Sequence, residues 1–114
     1  MTDQTVGVVQ AGYEWRQRIE ETSGAGLFPS DSAWRAQVRT SVEAPVALAE
    51  LTTSNGGIVR IDDNTIEMVL PGSATVGLRG GSVVFDLVRT DVDPDRHIGF
   101  AFAADVRLPV TRSA

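Results

Sequence analysis

The chain has 114 residues, 42% of them hydrophobic and 22% charged, with no cysteine and a formal net charge of −5. That length suits one globular domain with a single core, and the absence of cysteine excludes disulfides, thiolate metal sites and cysteine nucleophiles. The acidic balance argues against binding nucleic acid or anionic membranes, which requires a basic face. All ten basic side chains are arginine; a GC-rich genome accounts for that, and so does selection for bidentate ion pairs at protein interfaces.

Val6 to Val9 opens the chain as an edge strand or as an arm, within a segment 1–12 set apart from a domain over 13–112. Tyr13, Trp15 and Ile19 then alternate with Glu14, Arg16, Arg18 and Glu20, the signature of a strand with one face buried. Gln17 is the single polar member of the apolar side. Thr22 to Asp31, with Gly24, Gly26 and Pro29, is irregular, and Phe28 is its one aromatic.

Trp34, Ala36 and Val38 alternate with Arg35, Gln37 and Arg39, and a less regular strand is expected over Val46 to Thr53. The Ser54-Asn55-Gly56-Gly57 turn leads to Ile58–Ile61, and Asp62-Asp63-Asn64 reverses the chain into Ile66–Leu70. Pro71-Gly72-Ser73 ends that strand, and Ser73 to Leu78 has room for one helical turn. Val83, Phe85 and Leu87 mark the next strand. The longest alternation closes the chain, with Ile98, Phe100, Phe102, Ala104, Val106 and Leu108 on one side. Roughly seven or eight short strands separated by turns, with no helix of useful length, predict an all-β fold: a single antiparallel β-sandwich.

The sequence offers little catalytic chemistry. His97 is the only histidine; Asp93 and Asp95 lie near it, but it flanks a strand beside a loop, and a surface or rim position is the better explanation. Asp91-Val92-Asp93-Pro94-Asp95 resembles the opening of a calcium loop, yet Arg96 stands where glycine is required and Phe102 where the bidentate glutamate belongs. Gly77-Leu78-Arg79-Gly80-Gly81-Ser82 is glycine-rich without the lysine of a phosphate-binding loop. No catalytic, cofactor or metal site is therefore expected, and the chain reads as a non-enzyme.

The order of segments resembles a known family. Tyr13-Glu14-Trp15-Arg16-Gln17-Arg18-Ile19, Trp34-Arg35-Ala36-Gln37-Val38-Arg39, the Asn55-Gly56-Gly57-Ile58 turn and Val84-Phe85-Asp86-Leu87 are similar to the immunoglobulin-like domain of phage baseplate upper proteins and of small free-standing tailed-phage virion proteins. The resemblance implies an immunoglobulin-like sandwich in a virion structural protein assembled in the host cytoplasm. Capsid decoration, as a cement protein on the outside of the head, is the leading role. A tail or baseplate accessory and a carbohydrate or host-surface binding module are the alternatives. The implied partners are other virion proteins, above all the major capsid protein, and further copies of the chain in a symmetric array. Val6, Val8, Val9, Arg35, Arg39 and Arg79 are the expected partner-binding residues. No membrane partner is expected, because no apolar run approaches the ~18 residues of a span and Met1–Thr5 does not read as a signal peptide.

Overall fold

Period-two alternation of apolar and polar side chains produces strands throughout the computed structural model, which describes residues 4–111. The fold is all-β. In chain order the strands are β1 (Gln4–Gln10), β2 (Trp15–Glu20), β3 (Trp34–Val38), β4 (Ala49–Thr52), β5 (Ile58–Asp62), β6 (Thr65–Leu70), β7 (Ser82–Arg89) and β8 (Arg96–Arg107). A short 3-10 turn, Gly72–Ala74, overlaps only the start of the Ser73–Leu78 stretch expected to make one helical turn. Residues 1–3 and 112–114 lie outside the described residues, as does the side chain of Phe100, which the alternation assigned to the core face.

The strands form a five-stranded sheet in the order β1-β8-β7-β3-β4 and a three-stranded sheet in the order β2-β6-β5. Every pairing is antiparallel except β1 with β8, which run parallel. The larger sheet is thus mixed, and the expectation of a purely antiparallel fold is corrected. Alternation states which face a residue takes but not the direction of the neighbouring strand. A parallel pair only needs a long connection between its members, and here the whole body of the chain supplies it.

Both sheets contribute to one core. Trp34, Ala36, Val38, Val83, Phe85, Leu87, Phe102, Ala104 and Val106 enter it from the five-stranded sheet, and Trp15, Ile19, Ile58, Ile66, Met68 and Leu70 from the other. An aromatic cluster spans the gap. Trp15 meets Phe85 edge-on with ring centroids 6.1 Å apart, and Phe85 stacks on Phe102 at 5.2 Å.

Three local expectations change. Tyr13 lies outside β2 and is 37% exposed; its hydroxyl donates to the carbonyl of Thr111 at 2.8 Å, which holds the ring at the surface. Phe28 is 1% exposed. Its backbone N–H donates to Asp63 O at 2.8 Å, and its ring packs edge-on against Trp34 at 5.2 Å, so the irregular segment folds inward at this point. The strand expected from Val46 starts only at Ala49, because Arg39 donates to the carbonyl of Ala44 at 2.8 Å and closes the preceding loop, leaving Val46 exposed.

Two glycines permit close approaches. Gly7, at φ +72°, sits where the β1–β8 register shifts, and a Cβ there would lie 2.5 Å from Gln17 Oε1. The one polar residue on the inward side of β2 is therefore roofed by a residue without a side chain. Gly57 lies between β4 and β5, and a Cβ there would fall 2.8 Å from Leu51 Cβ and 2.9 Å from Leu51 Cα.

Phe85→Ala should lower the unfolding free energy by about 3–5 kcal/mol, since it removes the ring shared by both aromatic contacts. Gly57→Ala should cost about 1–3 kcal/mol through overpacking against Leu51. Urea unfolding followed by tryptophan fluorescence measures both, and a loss below half of either range would contradict the packing described.

Candidate interaction face

The strands that bury Trp34, Val83 and Phe102 on one side must present the intervening residues on the other. On the outer face of the five-stranded sheet, β3 presents Arg35 and Gln37, Arg39 follows directly after it, and β7 presents Val84, Asp86 and Val88. The register sets Val84 beside Ala103, Asp86 beside Ala101, Val88 beside His97 and Ser82 beside Asp105. On the other flank of β7, Arg35 stands beside Val88 and Arg39 beside Val84. Among the described residues no third sheet or helix covers this face.

Its centre is apolar and low. Val84, Val88, Ala101 and Ala103 are half-buried. Val42, exposed in the β3–β4 loop, closes one side of a dimple of about 140 Å³ lined also by Gln37, Arg39, Val84, Asp86 and Ala101. Alanine is a poor strand former, whereas threonine and other β-branched residues suit a half-exposed sheet surface. Ala101 and Ala103 on the outward side are therefore not explained by strand propensity, and they contribute nothing to the core. What they provide is flatness.

The outer face of the three-stranded sheet is different. Arg16 pairs with Glu14 and with Glu67, each at 3.1 Å, and Arg18 approaches Glu67 at 3.7 Å. Glu14, then Glu67, raise the Arg16 pKa further above its ordinary value. This face is laced with solvated ion pairs, while Val59 and Ile61 stand exposed on its edge strand β5.

The expected partner-binding residues divide between these environments. Arg35 and Arg39 stand on the outer face of the five-stranded sheet, and Val8, 39% exposed, borders it beside Asp105. Val6 is half-buried against the core. Val9 is 0% exposed, and its assignment to a partner surface gives way to a core role because the parallel pairing with Val106 turns it inward. Arg79 is exposed in the loop before β7, away from the sheet face. Val84, Ala101 and Ala103 were passed over in the sequence because an outward alanine or valine in an alternating strand reads as filler. The available signal was their low polarity at positions where β2 carries arginine and glutamate.

Polar groups elsewhere are engaged in holding the loops. His97 Nε2 lies 2.7 Å from Asp86 Oδ2, and His97 Nδ1 accepts the N–H of Gly99 at 2.8 Å. Accepting at Nδ1 places the proton of the neutral ring on Nε2, which donates it to Asp86. No hydroxyl is bonded to this pair among the described residues. Asp91, first of the calcium-like carboxylates, instead accepts from Arg89 Nε and Nη2 at 2.8 and 3.0 Å and from the Ala33 N–H at 3.2 Å. Asp62 accepts the Asn64 N–H at 2.8 Å, and Asp63 pairs with Arg60. No group of three or more potential metal ligands is found among the described residues. Neither a protein-family model nor a curated protein sequence matches the chain.

The Arg89 guanidinium holds the Asp91 carboxyl well below the ordinary carboxylate range, with the Ala33 N–H acting in the same direction. A carboxylate whose folded pKa is depressed stabilises the fold above its unfolded pKa of about 4 and loses that contribution as pH falls through the folded value. Asp91→Asn should therefore lower the melting temperature at neutral pH, with the gap to wild type narrowing as pH drops below about 4. Thermal melts by circular dichroism across pH 2–7 test this, and a gap that stays constant with pH would contradict it.

Proposed function

We propose that this chain is a non-catalytic, protein-binding structural module of a tailed-phage particle, with decoration of the capsid exterior as its leading role. The observation that carries the reading is the sheet order. Taken as immunoglobulin strands, β1-β8-β7-β3-β4 reads A′-G-F-C-C′ and β2-β6-β5 reads B-E-D, the variable-type arrangement of an immunoglobulin-like sandwich. Trp34 is then the buried tryptophan at the start of strand C. The Trp15–Phe85 contact joins strands B and F, which in antibody domains a disulfide joins. This order supports the resemblance to phage immunoglobulin-like domains that the segments Trp34–Arg39, Asn55–Ile58 and Val84–Leu87 suggest.

The surface supports a structural role over the alternatives. A net charge of −5 suits a protein facing solvent and other proteins, not the packaged genome. The carbohydrate-binding alternative called for an exposed loop aromatic; its candidate Phe28 is buried, and the exposed Tyr13 donates its hydroxyl to Thr111 O. The tail or baseplate role keeps its place as the second reading, because the same resemblance supports both.

Co-sedimentation of purified protein with phage heads, with tails and with unrelated particles separates these readings. The decoration role predicts saturable binding to heads at a fixed ratio to the capsid lattice. Saturable binding to tails alone would replace it with the tail role, and binding to neither particle would overturn the virion proposal.

A further inference from the structure

We infer that Asn55-Gly56, in the β4–β5 turn, is a latent self-modification site. The Asn55 side chain loses ammonia to the neighbouring backbone when the turn is open, and the folded turn holds it unreactive. The inference stands apart from the phage reading, since purified protein alone decides it.

The chemistry needs only these two residues and water. Asparagine is thermolabile, and a glycine after it leaves the attacking amide unobstructed, because it has no Cβ. The Gly56 backbone nitrogen forms a bond to Asn55 Cγ, the Cγ–Nδ2 bond breaks, and ammonia leaves with the proton given up by Gly56 N. The cyclic imide then takes up water at one of its two carbonyls. Opening at one gives aspartate; opening at the other gives isoaspartate, in which the main chain runs through the former side chain. Nothing is oxidised or reduced. Both residues are exposed, so water and base reach the pair freely. The other asparagine of the chain, Asn64, is followed by Thr65, whose branched side chain crowds the same attack.

What restrains the reaction is the use the turn makes of the carboxamide. β4 is the last strand of the five-stranded sheet, and the Asn55 side chain stands where a further strand would lie. Its Oδ1 accepts the Thr52 N–H at 2.9 Å and its Nδ2 donates to the Glu50 carbonyl at 3.0 Å. These are two backbone groups on one side of β4 that a neighbouring strand would engage. Oδ1 also accepts the Gly57 N–H at 2.8 Å, and the Asn55 N–H donates to Thr52 Oγ1 at 3.0 Å. Gly57 is itself fixed: its carbonyl accepts the Val69 N–H at 2.8 Å, and its backbone lies tight against Leu51.

Ring closure requires the Gly56 nitrogen to come over the face of the carboxamide at close range. Three hydrogen bonds to Oδ1 and Nδ2 hold that face in place, and the anchored Gly57 keeps the adjoining backbone from swinging. Reaction therefore waits on local opening of the turn. The change is also one-way for the structure. An aspartate at this position sets a carboxylate oxygen against the Glu50 carbonyl where an N–H stood, so a chain once modified has lost the donor that caps β4.

Peptide mapping by mass spectrometry of the full chain, held in mildly alkaline buffer with and without guanidinium chloride, is the test. Asn55 should convert at least about tenfold faster in denaturant than in the folded chain, with Asn64 unchanged on the same timescale. Thr52→Val removes the acceptor of the Asn55 N–H while keeping the branched shape. It should speed conversion in the folded chain with the circular dichroism spectrum unaltered. Asn55→Asp should lower the melting temperature. Equal rates in the two states would overturn the lock, as would a folded Thr52→Val chain that converts no faster than wild type. The wild-type comparison decides the lock even if that variant does not fold. Absence of conversion in denaturant would overturn the site, and an Asn55→Asp chain as stable as wild type would overturn the capping role of Nδ2.

Discussion

Without a disulfide, the two sheets are held face to face chiefly by packing, and the contact of Trp15 with Phe85 is where that packing is decided. Burying large rings between layers gives the greatest apolar area per residue and adds an oriented aromatic term. Phe85 belongs to the middle strand of the five-stranded sheet and touches Trp15 across the gap and Phe102 within its own sheet. The smaller side chains around it, Val83, Ala104, Ile66 and Met68 among them, fill the space that this spacing leaves. The outward positions inherit their placement from the same pattern. Because Phe85 must face in, Val84 and Asp86 must face out, and the interaction face is fixed by the core behind it.

The loops at one end of the molecule are organised by polar groups instead. Ala33 O accepts the Thr90 N–H, Asp63 O accepts the Phe28 N–H, and Asn64 Oδ1 accepts the Gly26 N–H. Asp91 ties Arg89 to the start of β3. The first aspartate of the calcium-like row, Asp91, thus serves as an acceptor for Arg89 and for the Ala33 N–H. Sharing these acceptors among three connections links the two sheets at an end where the apolar core has run out.

Much of the architecture was legible because strands with one buried face write their orientation into the sequence. The alternation from Ile98 to Leu108 and the one from Val83 to Val88 located β8 and β7 and named their core residues, Phe85, Phe102 and Val106 among them. What stayed hidden depended on partners far along the chain. The parallel course of β1 beside β8 leaves no mark on either strand. The burial of Phe28 depends on Trp34 and on the carbonyl of Asp63, and the exposure of Tyr13 on Thr111, almost the length of the chain away. Val9 looked like part of a mobile apolar arm because its neighbours Val6 and Val8 are also valine; only the pairing with Val106 separates the three. The candidate face was half legible: Val8, Arg35 and Arg39 were singled out, but the apolar strip between the arginines and the aspartates required the register.

The contrast between the two outer faces is the observation that most constrains how the molecule works. Strand propensity, solubility and resistance to edge pairing all act on both sheets, and all favour charged or β-branched residues outward. The three-stranded sheet follows that pressure, with Arg16, Arg18 and Glu67 linked over its surface. The five-stranded sheet departs from it at its centre, where β8 turns Ala101 and Ala103 outward beside Asp86 and Val84.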